Sequence, residues 1–519
     1  MAFISFVIVF MLEVMIMATA SSGPTVVDLG YALHQATIST ENPCYFRFPN
    51  IRYAAPPLGG LRFSTPELPL DNRSAGIQNG SYGKICPQGT ARWANKTLAN
   101  APPGPTESED CLFLDVTVSE STFVTGDAPV LVWIHGGGYV MNGKAVGGSP
   151  IGILDRSAEH SEGAIFVAIQ YRLGAFGWMS GPIFEESGTP NVGLLDQRLA
   201  LDWVQKYIHL FGGNRRRVTV MGESSGASSI MHHITAYGGK QGVGKLPFQQ
   251  AILQSPSMHN PTKSPILEDK LFKSFLDAAN VTTIDEARNL SSEALQIANK
   301  KIISSSAFGL YTFQPTVDGN YITDILSRSL LRGEFDPTIR VLAAHNSDEG
   351  YGFTDPTANN SSLSTYMSIY FPNASPSIIS YISSTLYPPI YNGTYPYTTP
   401  FKRLDLAISE MMISCYPRYI STAKQNQTWD YLFSVPPGTH GIDIPYTFFD
   451  GEVNAPVKND TLAMLIQRYL VAFVAGGDPN AFARKNGLGT FPIYGEEARM
   501  LNFNESFVGV REDLGKNAR

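Results

Sequence analysis

The chain has 519 residues, 43% of them hydrophobic and 16% charged, with a formal net charge of −7. That balance excludes large-scale disorder, which goes with few apolar residues and high net charge, and the acidic sign argues against a nucleic-acid-binding surface. No period of 20–50 residues marks a solenoid, and 47 Gly with 35 Pro call for many tight turns.

From the amino end, residues 1–22 form an apolar stretch closing on Ala18-Thr19-Ala20, the small-x-small pattern of a signal-peptidase site. Two details depart from that pattern: no Lys or Arg precedes the stretch, and Glu13 interrupts it. A retained anchor is the competing reading, since the run nearly spans a bilayer. The expectation adopted is a cleaved leader over residues 1–20 and a secreted chain, with no stable membrane insertion afterwards. There are 12 N-x-S/T sequons, from Asn72 to Asn504, so N-glycans are expected. The four cysteines are compatible with two bridges in an oxidising compartment. Nearest in sequence are Cys86 and Cys111, whose bridge would close a loop of about 26 residues and stabilise by roughly 3.5 kcal/mol; that leaves Cys44 with Cys415. Neither C-x-x-C nor H-E-x-x-H occurs, so the metal-binding reading is poor.

Further along, residues 129–136 (PVLVWIHG) and 164–171 (AIFVAIQY) are short apolar runs of the kind that form buried strands. Residues 192–211 space their apolar side chains as a helix does, starting after Asn191 and stopping at Gly212-Gly213. The run Arg215-Arg216-Arg217 reads as solvated surface, and 217–222, 248–254 and 340–344 are again strand-like. Strands alternating with helices predict an α/β fold with a mostly parallel sheet covered on both faces. Residues near 262–330 and 356–425 read as helical, loop-rich insertions over one end of that sheet. The second is dense in Tyr, Pro and Ser, which suits either a cleft wall or a silent surface loop.

Gly222-Glu223-Ser224-Ser225-Gly226 matches G-x-S-x-G between a strand and a helix. There the chain pushes a serine into the open on a strained turn, and the glycines let it pass without clashes. About 0.4 chance matches are expected at this composition, so the placement carries more weight than the motif. Upstream, His135-Gly136-Gly137-Gly138 ends a strand. Chance matches to it are below about 0.01 per chain. Glycines expose backbone N–H groups, and the amides of Gly137, Gly138 and Ser225 are the expected donors to an oxyanion. His135 itself reads as structural.

A nucleophilic serine needs a base, and the base an orienting carboxylate; in such sheets the chain order is Ser, acid, His. Of the five histidines after Ser224, His232 and His233 lie too close, on the helix that leaves the turn. His259 follows only one further strand, and His345 would need an acid from the first insertion. His440 sits in a Gly-rich loop directly after the strand-like WDYLFSV. The strand RVLAA runs into HNSDEG, which offers Asp348 or Glu349 just beyond a carboxyl end. Position alone does not choose between them.

These blocks resemble the carboxylesterase/lipase type-B family of α/β-hydrolases from about residue 25 to 510. They include FPNIRYAAPPLGGLRF (48–63), SEDCLFLDV (108–116), VWIHGGGYV (132–140), YRLGAFGWMS (171–180), NVGLLDQRLALDWV (191–204), GESSGA (222–227), HNSDEG (345–350) and GTHGIDIPY (438–446). The resemblance implies Ser224 as nucleophile, Glu349 as acid and His440 as base, so it decides against Asp348. It also pairs Cys86 with Cys111, around a loop that in relatives forms a lid or gorge wall. It implies structural ion pairs of Arg62 with Glu109 and Arg172 with Asp196. Ser225 departs from the usual Ala, Asn214 from a frequent Asp and Pro256 from a common Gly. No counterpart of the cholinesterases' choline-site tryptophan is found, since Trp93 lies only seven residues after Cys86.

The resulting expectation is a leader over 1–20 followed by one α/β-hydrolase domain over 21–519. It would be a secreted serine esterase of small-molecule esters, similar to fungal members of the family, with no cofactor and no nucleic-acid partner. A triacylglycerol lipase, a catalytically silent binding protein and a peptidase are the rivals. The loop 87–110 is not strongly apolar, which favours soluble esters over lipids.

Overall fold

The computed structural model describes residues 25–159, 163–239, 245–258, 264–451, 457–481, 483 and 489–517. The leader expected over 1–20 lies outside the described residues, as does His259. The strands of the main sheet, in chain order, are β1 (Thr37–Ile38), β2 (Tyr45–Arg52), β3 (Phe113–Ser119), β4 (Ala128–Ile134), β5 (Ile165–Ile169) and β6 (Gly213–Glu223). They continue as β7 (Gln250–Gln254), β8 (Arg340–Asn346), β9 (Trp429–Phe433), β10 (Arg499–Phe503) and β11 (Val508–Glu512). Among the described residues they form an 11-stranded sheet in the order β11-β10-β9-β8-β7-β6-β4-β5-β3-β2-β1. From β10 through β5 every pairing is parallel; the flanking strands pair antiparallel. A separate 3-stranded sheet holds Val26–Asp28, Leu33–Gln35 and Ile77–Gln78.

Every residue of β4, β5 and β7 is buried, as parallel strands covered on both faces must be. Side chains alternate between two cores: Val130, Val132 and Ile134 of β4 enter one, Leu131 and Trp133 the other. Helices α1 (Ile151–Ala158), α2 (Val192–Tyr207) and α3 (Ser225–Ile234) follow β4, β5 and β6. Between β7 and β8 lie α4 (Pro265–Ala279) and α5 (Ser292–Ser304), between β8 and β9 lie α6 (Ser362–Tyr370), α7 (Pro400–Ser409) and α8 (Cys415–Ala423), and α9 (Asp460–Gly476) precedes the last strands. Leu194, Leu201 and Val204 of α2 and Ile230 and Met231 of α3 join the first core. Ile153 and Leu154 of α1 and Ile466, Leu470 and Phe473 of α9 join the second. The mostly parallel sheet with helices on both faces is thus present. Leu363, Tyr366, Met367 and Ile408, from α6 and α7, build a third cluster with Leu310 and Phe353.

Boundaries differ from expectation in an instructive way. The helix begun at Val192 is regular to Tyr207, then tightens into a turn over Ile208–Phe211 and ends at Gly212, whose φ of 87° is left-handed. The strand expected from 217 begins at Gly213, because exposed Arg215 and Arg216 extend it without an apolar pattern. Asn214 is therefore in a strand, where its amide donates to Asp127 Oδ1 at 2.7 Å.

Cys86 and Cys111 are bonded, with Cα atoms 4.9 Å apart. The pairing of Cys44 with Cys415 is not present. Cys44 directly precedes β2, near one edge, whereas Cys415 borders a cavity that also touches β8, β9 and β10. At about 4.8 Å per strand, the span between those positions far exceeds the ~7 Å a disulfide allows. Both expected ion pairs form: Arg62 grips Glu109 with two contacts of 2.8 Å, and Arg172 grips Asp196 at 2.8 and 2.7 Å. No helix among the described residues is long and apolar enough to cross a membrane.

Candidate active site

Ser224 stands between β6 and α3 with φ 56° and ψ −127°, outside the comfortable region for an L-residue. Such strain persists only where the surroundings hold it. Here a Cβ on Gly222 would lie 2.7 Å from the Gly226 carbonyl carbon, and one on Gly226 would lie 2.1 Å from the Ile134 oxygen. The two glycines therefore let α3 sit directly on the end of β4, where His135–Gly138 begins. In that loop Gly137 and Gly138 have φ 117° and 59°. Among the described residues no acceptor is paired with the amides of Gly137, Gly138 or Ser225. Ser225 opens α3, where first-turn amides have no partner within the helix.

The chain brings Glu349 and His440 together by stitching two loops that follow neighbouring parallel strands. Ser347 N–H donates to Phe433 O (3.0 Å) and Asp348 N–H to Gly438 O (2.8 Å). Gly438 permits this approach, since a Cβ there would be 2.1 Å from Ser347 Oγ. As a result His440 Nδ1 lies 2.6 Å from Glu349 Oε2. Asp348 faces away and pairs with Lys402 Nζ at 2.9 Å. Glu349 is 1% exposed, and Ser255 Oγ and Asn346 N each donate to its Oε1 at 2.6 Å. Burial alone would raise this carboxyl, but the His440 charge and these donors outweigh it and hold it below its ordinary value.

Behind Glu349 lies a second buried carboxyl. Asp443 accepts from Asn346 Nδ2 (3.3 Å), Tyr431 Oη (2.9 Å) and Gln254 Nε2 (3.1 Å), and burial raises it. On the other side of His440, Nε2 faces Glu223 Oε1 at 3.2 Å. Burial raises Glu223 to about 8. Burial pushes His440 down, but the charges of Glu223 and Glu349 outweigh that and raise it to about 9. Ser255, Asn346, Asp443 and Glu223 were not singled out from sequence. Their types are common; Glu223 lies inside the serine motif and Asn346 and Asp443 inside the HNSDEG and GTHGIDIPY blocks, but nothing in those blocks singles them out, and Ser255 had no such signal.

Three other described histidines are engaged away from Glu349. His233 is held between Tyr321 Oη (2.6 Å) and Gln197 Oε1 (3.0 Å), and His345 Nδ1 pairs with Asn346 O at 2.8 Å. His135, fully buried, is lowered to about 4 by burial and donates from Nδ1 to Gly136 O at 2.8 Å.

Aromatic rings wall the site. Phe353 lies 5.3 Å from His440, centroid to centroid, and Trp93 lies 5.4 Å from Tyr311 and 6.0 Å from Phe353. Tyr311 covers Gly138 so closely that a Cβ there would be 2.4 Å from the ring. Trp93 thus joins this wall from the loop closed by Cys86–Cys111.

Residues 34–518 match the model of the carboxylesterase family, and the chain belongs to that family. It is a carboxylic ester hydrolase. It is 39% identical to "Carboxylesterase patB" of Aspergillus clavatus over 543 residues, covering 96% of each chain. With "Secreted lipase 1" of Botryotinia fuckeliana it shares 30% identity, over 90% of this chain and 87% of the relative. Among solved structures, Aspergillus niger EstA superposes with a TM-score of 0.82 at 25% identity, covering 95% of this chain and 96% of that one. The fold is accordingly that of the α/β-hydrolases.

Proposed function

We propose that the protein is a secreted serine esterase working through an acyl-enzyme, with Ser224 as nucleophile, His440 as base and Glu349 as the orienting acid. The observation that carries this reading is the 2.6 Å contact of His440 Nδ1 with a buried, ionised Glu349, in a loop beside the strained serine turn. Ser224 Oγ attacks the ester carbonyl while His440 Nε2 takes its proton. Glu349 fixes the tautomer that leaves Nε2 free to accept and stabilises the imidazolium that follows. The amides of Gly137, Gly138 and Ser225 receive the developing oxyanion, where one such donor is worth roughly 3–4 kcal/mol. The imidazolium gives its proton to the leaving alkoxide, and water, activated by the same base, releases the acid.

Residues 21–519 form one α/β-hydrolase unit in this reading, and residues 1–20 are a leader. Secretion is supported by the small-x-small end of the amino-terminal stretch and by the names of relatives such as "Secreted lipase 1".

The test is hydrolysis of p-nitrophenyl esters from acetate to palmitate by the protein and by Ser224→Ala. Short-chain activity that falls at least 10³-fold in the variant, about 4 kcal/mol, is the expected result. A long-chain optimum would move the reading to a lipase. A variant as active as its parent would overturn the assignment of Ser224.

A further inference from the structure

Ser225 carries a side chain with a second task besides its backbone amide. It is fully buried, yet its Oγ accepts the N–H of Tyr139 at 3.4 Å, across a gap of 86 residues in sequence. Tyr139 directly follows Gly138 and has φ 63°, so three successive residues, Gly137 to Tyr139, sit at positive φ. For glycine that conformation is easy. For a tyrosine it is strained and must be held from outside. At the other end of the same loop, Tyr171 Oη donates to His135 O at 2.7 Å, and its ring stacks on His135 at 4.4 Å. The stretch His135–Tyr139 is thus tied at one end to the Tyr171 hydroxyl and at the other to the Ser225 hydroxyl on the first residue of α3.

We infer that the Ser225 hydroxyl, with Tyr171, is a positioning device for the oxyanion loop, locking the Gly137 and Gly138 amides against the helix that begins at the nucleophile. The inference rests on the oxyanion reading above. Physically, an oxyanion donor is useful only if it is already aimed where charge develops, because reorientation during the reaction would cost part of its benefit. The loop is glycine-rich and one of its residues is strained, so its aim depends on tethers. The Gly174 N–H on Tyr139 O (2.8 Å) holds the outer side of the loop. Ser225 Oγ holds it to the chain segment that carries the attacking oxygen. Losing that tether leaves substrate binding intact and weakens interactions made only with the tetrahedral state.

The experiment compares Ser225→Ala, Tyr171→Phe and the double variant with the parent and with Ser224→Ala. The readouts are kcat and KM on p-nitrophenyl acetate, inhibition by an aryl trifluoromethyl ketone that forms a tetrahedral adduct, and melting temperature. For Ser225→Ala the expected result is a fall in kcat of about ten-fold with KM within two-fold, and a matching ten-fold loss of ketone affinity, at an unchanged melting temperature. Tyr171→Phe should fall in the same direction. The double variant should lose less than the product of the single effects, since both act through one loop. An unchanged kcat and ketone affinity in Ser225→Ala, while Ser224→Ala is inactive, would overturn the positioning role alone. Full activity of Ser224→Ala would instead bring down the reading beneath it. Losses that track a fall in melting temperature in both variants would show that the hydroxyls only hold the fold together.

Discussion

The Glu223 carboxyl stands 3.2 Å from His440 Nε2, the nitrogen assigned to receive the serine proton. A base there must be unprotonated to work, so activity should rise with pH as His440 loses its proton. Negative charge nearby favours the imidazolium, and Glu223 and Glu349 together raise His440 to about 9 despite its burial. Glu223→Gln removes one of those charges and keeps the shape. The acid limb of kcat/KM should therefore move to lower pH, by roughly one unit, in a pH–rate profile. A limb that stays in place would mean that Glu223 does not set the titration of His440. At this scale much of the site was legible. Ser224, Glu349 and His440 occupy motifs that could be read in order, and Asp348 was left open by position and excluded by resemblance. The structure turns Asp348 toward Lys402 and Glu349 toward His440. Glu223, Ser255 and Asp443 were not legible, because their importance comes from what they face and not from any spacing.

The loop closed by Cys86–Cys111 works as a unit at the scale of elements. It is pinned by Glu109 to Arg62, by Glu107 to Lys300 at 3.2 Å, and by Trp93 Nε1 donating to Leu310 O at 2.9 Å. Leu310 precedes Tyr311, the ring over Gly138, so this loop supports the wall of the site. Replacing both cysteines by serine should lower stability by about 3.5 kcal/mol on the chain-entropy account, seen as a lower melting temperature. It should also raise KM on short esters more than it lowers kcat, because the wall meets substrate before the reaction starts. An unchanged melting temperature would show that the ion pairs hold the loop without the bond. Among the strands, β4, β5 and β7 were readable because burial on both faces demands an unbroken apolar run. The antiparallel flanks were not. β2 contains Pro49 and shifts register between Phe48 and Ile51, and β11 alternates between exposed and half-buried positions. Their identity as strands comes from the sheet edge they complete.

Across the whole molecule, the sequons bear on the compartment. All 12 lie in the described part of the chain; nine of their asparagines are exposed, and Asn426, Asn459 and Asn504 are half-buried. Asn504 is also engaged, its amide donating to Ser434 O at 2.6 Å, so it is a poor acceptor for a glycan. Protein recovered from the medium of a secreting fungal host should begin after Ala20. It should also lose mass on treatment with an N-glycosidase, with Asn504 unmodified by peptide mass mapping. Retention of residues 1–20 in a membrane fraction would favour the anchor reading. The sequence by itself determined the kind of fold and the candidate residues of the site, because buried parallel strands, glycine turns and a nucleophile motif are local requirements written in consecutive residues. The tertiary structure alone decided that Cys44 and Cys415 stay apart, that Glu223 and Asp443 flank the His440–Glu349 pair, and that Ser225 reaches Tyr139. Those outcomes depend on distances between segments far apart in the chain, and such distances exist only once the sheet has set the order of its strands.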